Sequence, residues 1–290
     1  MYVFFALLSA WTVFLNLLVI ISISHFKQLH TPTNLIILSL AVADLLVGLI
    51  TCWYLGDTFC DLFMIIMGLL ISTSICNLVL IAVDRYVAVC HPLQYPQKIT
   101  TTKTLISICL CWFFSSTYNI GYLISGRYLE NSQRPDVCYG MCYLATSFSW
   151  ISTDMFFSFV LPCTLIIVLY LRIFYVAHQQ VKVINSLIKG GKCVTEGSVR
   201  RKSDSKAALT LGIIVTVYLL CYIPYILSVT GTTVISSATM TFLIWTLYVN
   251  SSLNPLIYAL FYRWFKMSVK HILTLKILEP SSSLMDILKM

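Results

Sequence analysis

"LFMIIMGLLISTSICNLVLIAVDRY", residues 62–86, decides how this chain is read. Residues 62–83 carry no formal charge, and the run then closes on Asp84-Arg85-Tyr86. About 20 apolar residues cross the ~30 Å of hydrocarbon in a bilayer as a helix. In lipid the backbone must bond to itself, which makes such a run helical. The charged pair marks the boundary where a side chain can stay wet.

The same pattern recurs. Spans are read at about 2–24, 33–55, 60–86, 104–126, 146–175, 206–230 and 239–261. Of 290 residues, 59% are hydrophobic and 10% charged, with a mean hydropathy of +0.87. A soluble domain carries about 25% charged residues. The fold class expected is an all-α membrane protein, a seven-transmembrane-helix bundle with a short amphipathic C-terminal interfacial helix. That last helix is read over 262–273, within "FYRWFKMSVKHIL" (261–273). Phe261, Trp264, Phe265, Val269 and Ile272 recur there at helical spacing, against Arg263, Lys266, Lys270 and His271. The domain is read as 1–273 and a cytoplasmic tail as 274–290.

A net charge of +8 raises the question of nucleic acid. Its distribution excludes that reading. Among the 19 Lys and Arg, only Arg127 and Arg134 fall on one side of the spans; the rest lie on the other. The positive-inside rule makes the basic side cytoplasmic. An odd number of spans then puts the N-terminus outside and the C-terminus inside, in a multi-pass plasma-membrane protein. The basic residues face anionic lipid, with a share for a partner in the loop between spans five and six. That loop, roughly 177–206, is read as flexible from Gly190-Gly191 and its Ser/Lys/Arg content. Its "RRKS" offers Ser203 to a basophilic kinase, against a competing reading as a solvated charge run. The first run has no basic residue before it, so no cleavable signal is read. Almost no tail precedes it, which allows that the chain is N-terminally incomplete.

Most of the eleven cysteines sit within spans as small apolar side chains. Cys60, Cys138 and Cys142 are placed outside, where a disulfide from Cys60 to one of the other two suits an oxidising exterior. Pro162, Pro224 and Pro255 interrupt spans five, six and seven and kink them. Arg85 has two carboxylates to choose from, Asp84 beside it or Asp204 at the foot of span six. Buried Asn and Asp in spanning helices are costly unless paired. Asp44, Ser74, Asn250 and Asn254 are therefore expected to share a polar pocket suited to a sodium ion; no other cofactor is expected. No internal repeat supports a transporter. Neither a His-Glu-x-x-His nor a Gly-x-Ser-x-Gly pattern supports an enzyme.

The ordered set Asn16, Asp44, Cys60, Asp84-Arg85-Tyr86, Trp112, Pro162 with Tyr170, Pro224 and Asn254-Pro255-x-x-Tyr258 resembles the rhodopsin-like G-protein-coupled receptors. More narrowly, "LLVIISISHFKQLHTPTNLIILSLAVADLLVG", "AVDRYVAVCHPLQYP", "KAALTLGIIVTVYLLCYIPY" and "NSSLNPLIYALFY" resemble trace amine-associated receptors. The resemblance implies an amine ligand, a stimulatory G protein of the olfactory type and a rise in cyclic AMP. It also implies a Cys60–Cys142 disulfide, leaving Cys138 without its partner in an N-terminal tail. By the same resemblance Asp84, Arg85, Tyr86, Asp204, Tyr170, Tyr222, Pro224, Asn254, Pro255 and Tyr258 form the activation switch. The chain departs from the pattern at Met67, where relatives carry the amine-gripping Asp. It departs again at Tyr222, usually Trp, at Leu15, usually Gly, and in having no N-terminal tail.

Of the eleven acidic residues, Asp61 and Asp84 stand at the ends of a span and only Asp44 and Asp154 lie deep inside one. Asp154 stands eight residues before Pro162, about two turns in from outside. An unpaired carboxylate there costs several kcal/mol, and an ammonium supplies the missing charge. A fish-expanded group of the family likewise carries its Asp in helix five. Asp154 is therefore read as the amine counterion, against a competing reading as a wet vestibule residue or a partner of Arg127 or Arg134. Ser158, one turn deeper, is its second polar contact. Met67, Gly68 and Ile71 would line helix three, and Tyr225, Trp245 and Tyr248 would supply aromatic faces suited to a cation. A non-signalling decoy and a transporter are the competing functions.

Overall fold

A computed structural model describes residues 2–50, 60–130, 148–189, 212–213, 216–224, 237–279 and 282–284. All regular structure among the described residues is helical. We label the long helices α1 (Tyr2–His25), α2 (Pro32–Ile50), α3 (Cys60–Cys90) and α4 (Thr101–Glu130). Next comes α5, which joins Phe148–Met155, a π-helical turn at Phe156–Val160 and Leu161–Lys189. Residues 216–224 are the described part of α6. Then follow α7 (Ser237–Phe261) and α8 (Arg263–Leu273). Five of these helices are long and apolar enough to cross a membrane: α1, α2, α3, α4 and α5.

Which faces turn inward shows what solvent the fold was built for. On α1, Leu15, Leu18, Val19, Ser22 and Ile23 are buried at one-turn spacing, while Val3, Phe4, Leu7, Trp11 and Phe14 are exposed. The exposed stripes of α4 (Leu105, Ile106, Leu110, Phe113, Phe114) and α5 (Phe156, Phe157, Leu165, Val168, Leu171) are equally apolar. In water this belt would be one large sticky patch. Against hydrocarbon it is the solvated face.

The helices are held together by buried polar ties. Asn16 donates its Nδ2 to the carbonyls of Thr12 and Ser251, both at 3.0 Å, and so binds α1 to α7. Trp112 donates Nε1 to Ser39 Oγ at 3.0 Å, binding α4 to α2. Gly48 brings α2 close to α1: a Cβ there would meet Val13 Cγ2 at 3.1 Å. The close approach of small residues is how membrane helices gain packing without a hydrophobic drive between them.

Two elements differ from the sequence reading. Helix α3 runs to Cys90, so Asp84-Arg85-Tyr86 lies inside a regular helix and not at its end. Helix α5 continues to Lys189, well into the segment read as a flexible loop. "AHQQVKVINSLIK" has no Gly or Pro and is rich in helix-tolerant residues, so the helix outlasts the apolar run and is described as far as Lys189. The π-turn in α5 has a local cause. Pro162 offers no N–H to close the preceding turn, and Leu161 N–H instead reaches back five residues to the Phe156 carbonyl.

Tyr262, read as the first residue of the interfacial helix, is extended and separates α7 from α8. Trp264, Phe265 and Ser268 of α8 are buried while Lys266 and Lys270 are exposed. After α8, Leu275 takes a left-handed conformation (φ 57°) that turns the chain back. Ser282 is then buried with its Oγ 2.9 Å from His25 Nε2.

Candidate functional site

Asp154 sits on α5 just before the π-turn and is half-buried. Its Oδ1 accepts two hydrogen bonds, from Tyr118 Oη of α4 at 2.6 Å and from Ser158 Oγ at 2.8 Å. No described residue donates to Oδ2. The one ion pair among the described residues is Arg85–Asp84, so Asp154 has two neutral donors and no described cation. The side chains of Arg127 and Arg134 lie outside the described residues. The structure thus joins Asp154 and Ser158 directly, as the one-turn spacing implied, and adds Tyr118. Tyr118 and Tyr122 stack on α4 with ring centroids 6.4 Å apart. That pair, one turn apart in a lipid-spanning run, was the available signal, since a buried hydroxyl needs an acceptor.

On α3, Met67 is buried in an apolar cluster with Ala43, Val47 and Leu70, with Tyr248 of α7 packed against it. Ile71 packs against the central core. Gly68 faces α4: a Cβ built there would run into Asn119 Oδ1. Asn119 Nδ2 in turn bonds Ser72 Oγ at 3.2 Å and the Ser115 carbonyl at 2.8 Å. Trp245 and Tyr248 meet edge to face at 5.4 Å. Tyr225 lies outside the described residues. Below, Tyr222 stacks on Tyr218 at 4.1 Å, and Phe159 of α5 stacks on both at 6.3 and 6.4 Å. An apolar groove of about 400 Å³ on the outer face of α4, lined by Leu105, Cys109 and Phe113, opens to the lipid side and is separate from these residues.

Deeper in, Asp44 is wholly buried. Asn254 Nδ2 donates to its Oδ2 at 2.8 Å and Ser74 Oγ to its Oδ1 at 3.3 Å. Asn250, one turn before Asn254 on α7, is buried with its Oδ1 lacking any described partner. A carboxylate, a hydroxyl and a spare amide oxygen are the donor set that hard cations take.

At the opposite end, Asp84 collects Arg85, Thr33 Oγ1 (2.8 Å) and Tyr95 Oη (2.9 Å). Arg85 also reaches Thr33 Oγ1. Of the two carboxylates open to Arg85, it takes Asp84; Asp204 lies outside the described residues. Burial, with Asp84 beside it, pushes the Tyr95 hydroxyl above its ordinary pKa, which keeps it a donor. Thr33 and Tyr95 were not anticipated, because they come from α2 and from a short helical turn (Tyr95–Lys98) after α3. Tyr86 stands edge-on to His91 at 5.6 Å. The hydroxyls of Tyr170, Tyr258 and Tyr262 are buried without a described hydrogen-bond partner. Pro255 lies inside α7 and Pro224 closes the described part of α6. The Cys60 side chain and Cys142 fall outside the described residues.

Comparison with known proteins identifies the family. Residues 15–258 match the 7 transmembrane receptor (rhodopsin family) model. Zebrafish trace amine-associated receptor 13c is 40% identical, over 97% of this chain and 88% of that protein. Rat trace amine-associated receptor 9 is 38% identical, over 93% of this chain and 86% of that protein. The human receptor of the same name is 38% identical, over 92% and 82%.

The Gly68 contact yields a test of the α3–α4 packing. Gly68→Ala is expected to lower the melting temperature of the detergent-solubilised chain, at a cost of about 1–3 kcal/mol for overpacking. Adding Asn119→Ala should recover most of that loss. Unchanged melting of the single variant would show that α3 and α4 do not meet at Gly68.

Proposed function

Because the chain belongs to the rhodopsin family of seven-transmembrane receptors, and within it to the trace amine-associated receptors, we propose that it binds a protonated amine through Asp154 and signals through a stimulatory G protein. As a member of that family it is a multi-pass membrane receptor and not an enzyme, with a small-molecule ligand and a heterotrimeric G protein as partners. The finer reading is an olfactory receptor whose seven spans place the N-terminus outside and whose output is cyclic AMP.

One observation carries the reading: Asp154 is a half-buried carboxylate with neutral donors on one oxygen and no described cation. Two unit charges 4 Å apart attract by about 4 kcal/mol at an effective dielectric of 20. That is well above a surface ion pair, and a neutral odorant forgoes it. Met67, standing where relatives hold their Asp, leaves an apolar wall on α3 for the carbon skeleton. The aromatic rings of Trp245 and Tyr248 supply π faces for the cation.

The ligand shifts the receptor only by binding one state better than another. In the state described here Arg85 is held by Asp84 and Thr33, and Tyr95 in turn bonds Asp84. We read this as the resting arrangement. The Phe159–Tyr218–Tyr222 stack links α5, where the amine binds, to α6. Movement of that stack would be passed to Arg85, Tyr170 and Tyr258, and so to the G protein. A sodium ion held by Asp44, Ser74, Asn250 and Asn254 would favour the resting state.

The first test is a cyclic AMP screen of amines and their neutral isosteres on cells expressing the chain. Asp154→Ala is expected to raise the half-maximal amine concentration by 100-fold or more, and Asp154→Glu by less. Full amine potency in an Asp154→Ala receptor that reaches the surface would refute the counterion reading. A second measurement addresses the clamp. Thr33→Val combined with Tyr95→Phe removes two of the three groups on Asp84, each charge-assisted bond being worth about 1.5–3 kcal/mol. Basal cyclic AMP should rise severalfold; an unchanged or lower baseline at equal surface level argues against a resting clamp. For the cation, replacing sodium by N-methylglucamine should increase amine potency in the unmodified receptor and leave Asp44→Asn unaffected. Equal salt responses in both would remove the ion from the mechanism.

A further inference from the structure

We propose that Tyr118 is a positioning residue for amine recognition: its hydroxyl, bonded to Asp154 Oδ1, aims the carboxylate so that Oδ2 receives the ammonium. This rests on the reading of Asp154 as the counterion.

The geometry is specific. Tyr118 comes from α4 and Ser158 from within the π-turn of α5, and both end on the same oxygen, at 2.6 and 2.8 Å. A carboxylate offers about four lone-pair sites, two per oxygen. Two donors fill Oδ1, and among the described residues none takes a lone pair of Oδ2. An Asp side chain turns freely about its last torsion when nothing holds it. Donors on both sides of Oδ1, from two helices, remove that freedom before the ligand arrives. The ammonium then meets one prepared oxygen and not a rotating pair, which lowers the entropy it must give up on binding.

Tyr118 is itself held. Its ring stacks on Tyr122 at 6.4 Å, and the next residue, Asn119, bonds α3 through Ser72. The phenol is therefore carried by a helix pinned to α3, and its position is set independently of α5. The π-turn supplies the other half: it places Ser158 back under Asp154 while the helix bends at Pro162.

The test uses the full-length chain in cells, with n-alkylamines from butylamine to octylamine and 2-phenylethylamine as probes. Tyr118→Phe keeps the ring and removes only the hydroxyl. It is expected to raise the half-maximal concentration about tenfold while surface level and maximal response hold. The cycle is closed in the Asp154→Glu background, where the charge is kept but the oxygens are displaced from the phenol. There, Tyr118→Phe should change potency by less than about twofold, because the interaction it removes is already broken. A tenfold loss repeated in both backgrounds would mark Tyr118 as a packing residue and overturn the proposal. So would unchanged potency of Tyr118→Phe alone, or a fall in surface level and maximal response in step with potency. Failure of the underlying reading looks different: Asp154→Ala would then keep its potency, or none of the amines would activate the unmodified receptor.

Discussion

The organising constraint is that a polar group inside hydrocarbon has no water to turn to and must find its partner on another helix. Each pairing therefore doubles as a tie. Asn254 on Asp44 joins α7 to α2, Asn16 on the Ser251 carbonyl joins α1 to α7, and Trp112 on Ser39 joins α4 to α2. Tyr118 on Asp154 joins α4 to α5, and Tyr95 with Thr33 gathers the ends of α2 and α3 around Asp84. Apolar packing alone would not choose among rotations of these helices, since lipid tails are as apolar as the side chains facing them. The polar pairs fix which face of each helix turns inward.

The same constraint identifies where the bundle is not fully satisfied. Both amide atoms of Asn77, the hydroxyls of Tyr170, Tyr218 and Tyr258, and Asn250 Oδ1 are buried with no described partner. Each unmet group costs about 1–3 kcal/mol, so such groups mark sites for internal water, an ion or a second arrangement. These lie on α3, α5, α6 and α7, which carry Arg85, the π-turn and the helix-interrupting prolines. Asn16 Oδ1 on α1, Ser115 Oγ on α4 and His271 Nε2 on α8 share the same lack. A switch needs two packings of similar energy, and incompletely paired polar groups at these joints narrow the gap between packings.

What could be read in the sequence follows from the same physics. Apolar run length marked the spans, because hydrocarbon thickness sets it. Asp44 and Asn254 were legible as a pair, because each is costly alone at its depth. For Tyr118 the spacing to Tyr122 hinted at a buried hydroxyl but not at its partner, which depends on which faces of α4 and α5 meet. Gly68 shows the same limit. It was expected in the ligand wall, but the rotation of α3 turns it onto Asn119. The extension of α5 to Lys189 escaped because hydropathy reports lipid, whereas helix continuation past the bilayer depends on propensity.

Met67 and Asp154 are best understood as one exchange. A carboxylate on α3 at position 67 would sit among Ala43, Val47 and Leu70, with Tyr248 packed against them. On α5 the π-turn and α4 provide two hydroxyls for one oxygen. On the reading of Asp154 as the counterion, the anion would stand where two hydroxyls meet it, with an apolar wall opposite. An amine in this receptor would point its nitrogen toward α5 and its skeleton toward α3. The length and shape of that skeleton would then be judged by Met67, a residue that takes no part in holding the charge. Recognition of the charge and recognition of the carbon chain would thus be separated onto different helices, so that one can change without the other.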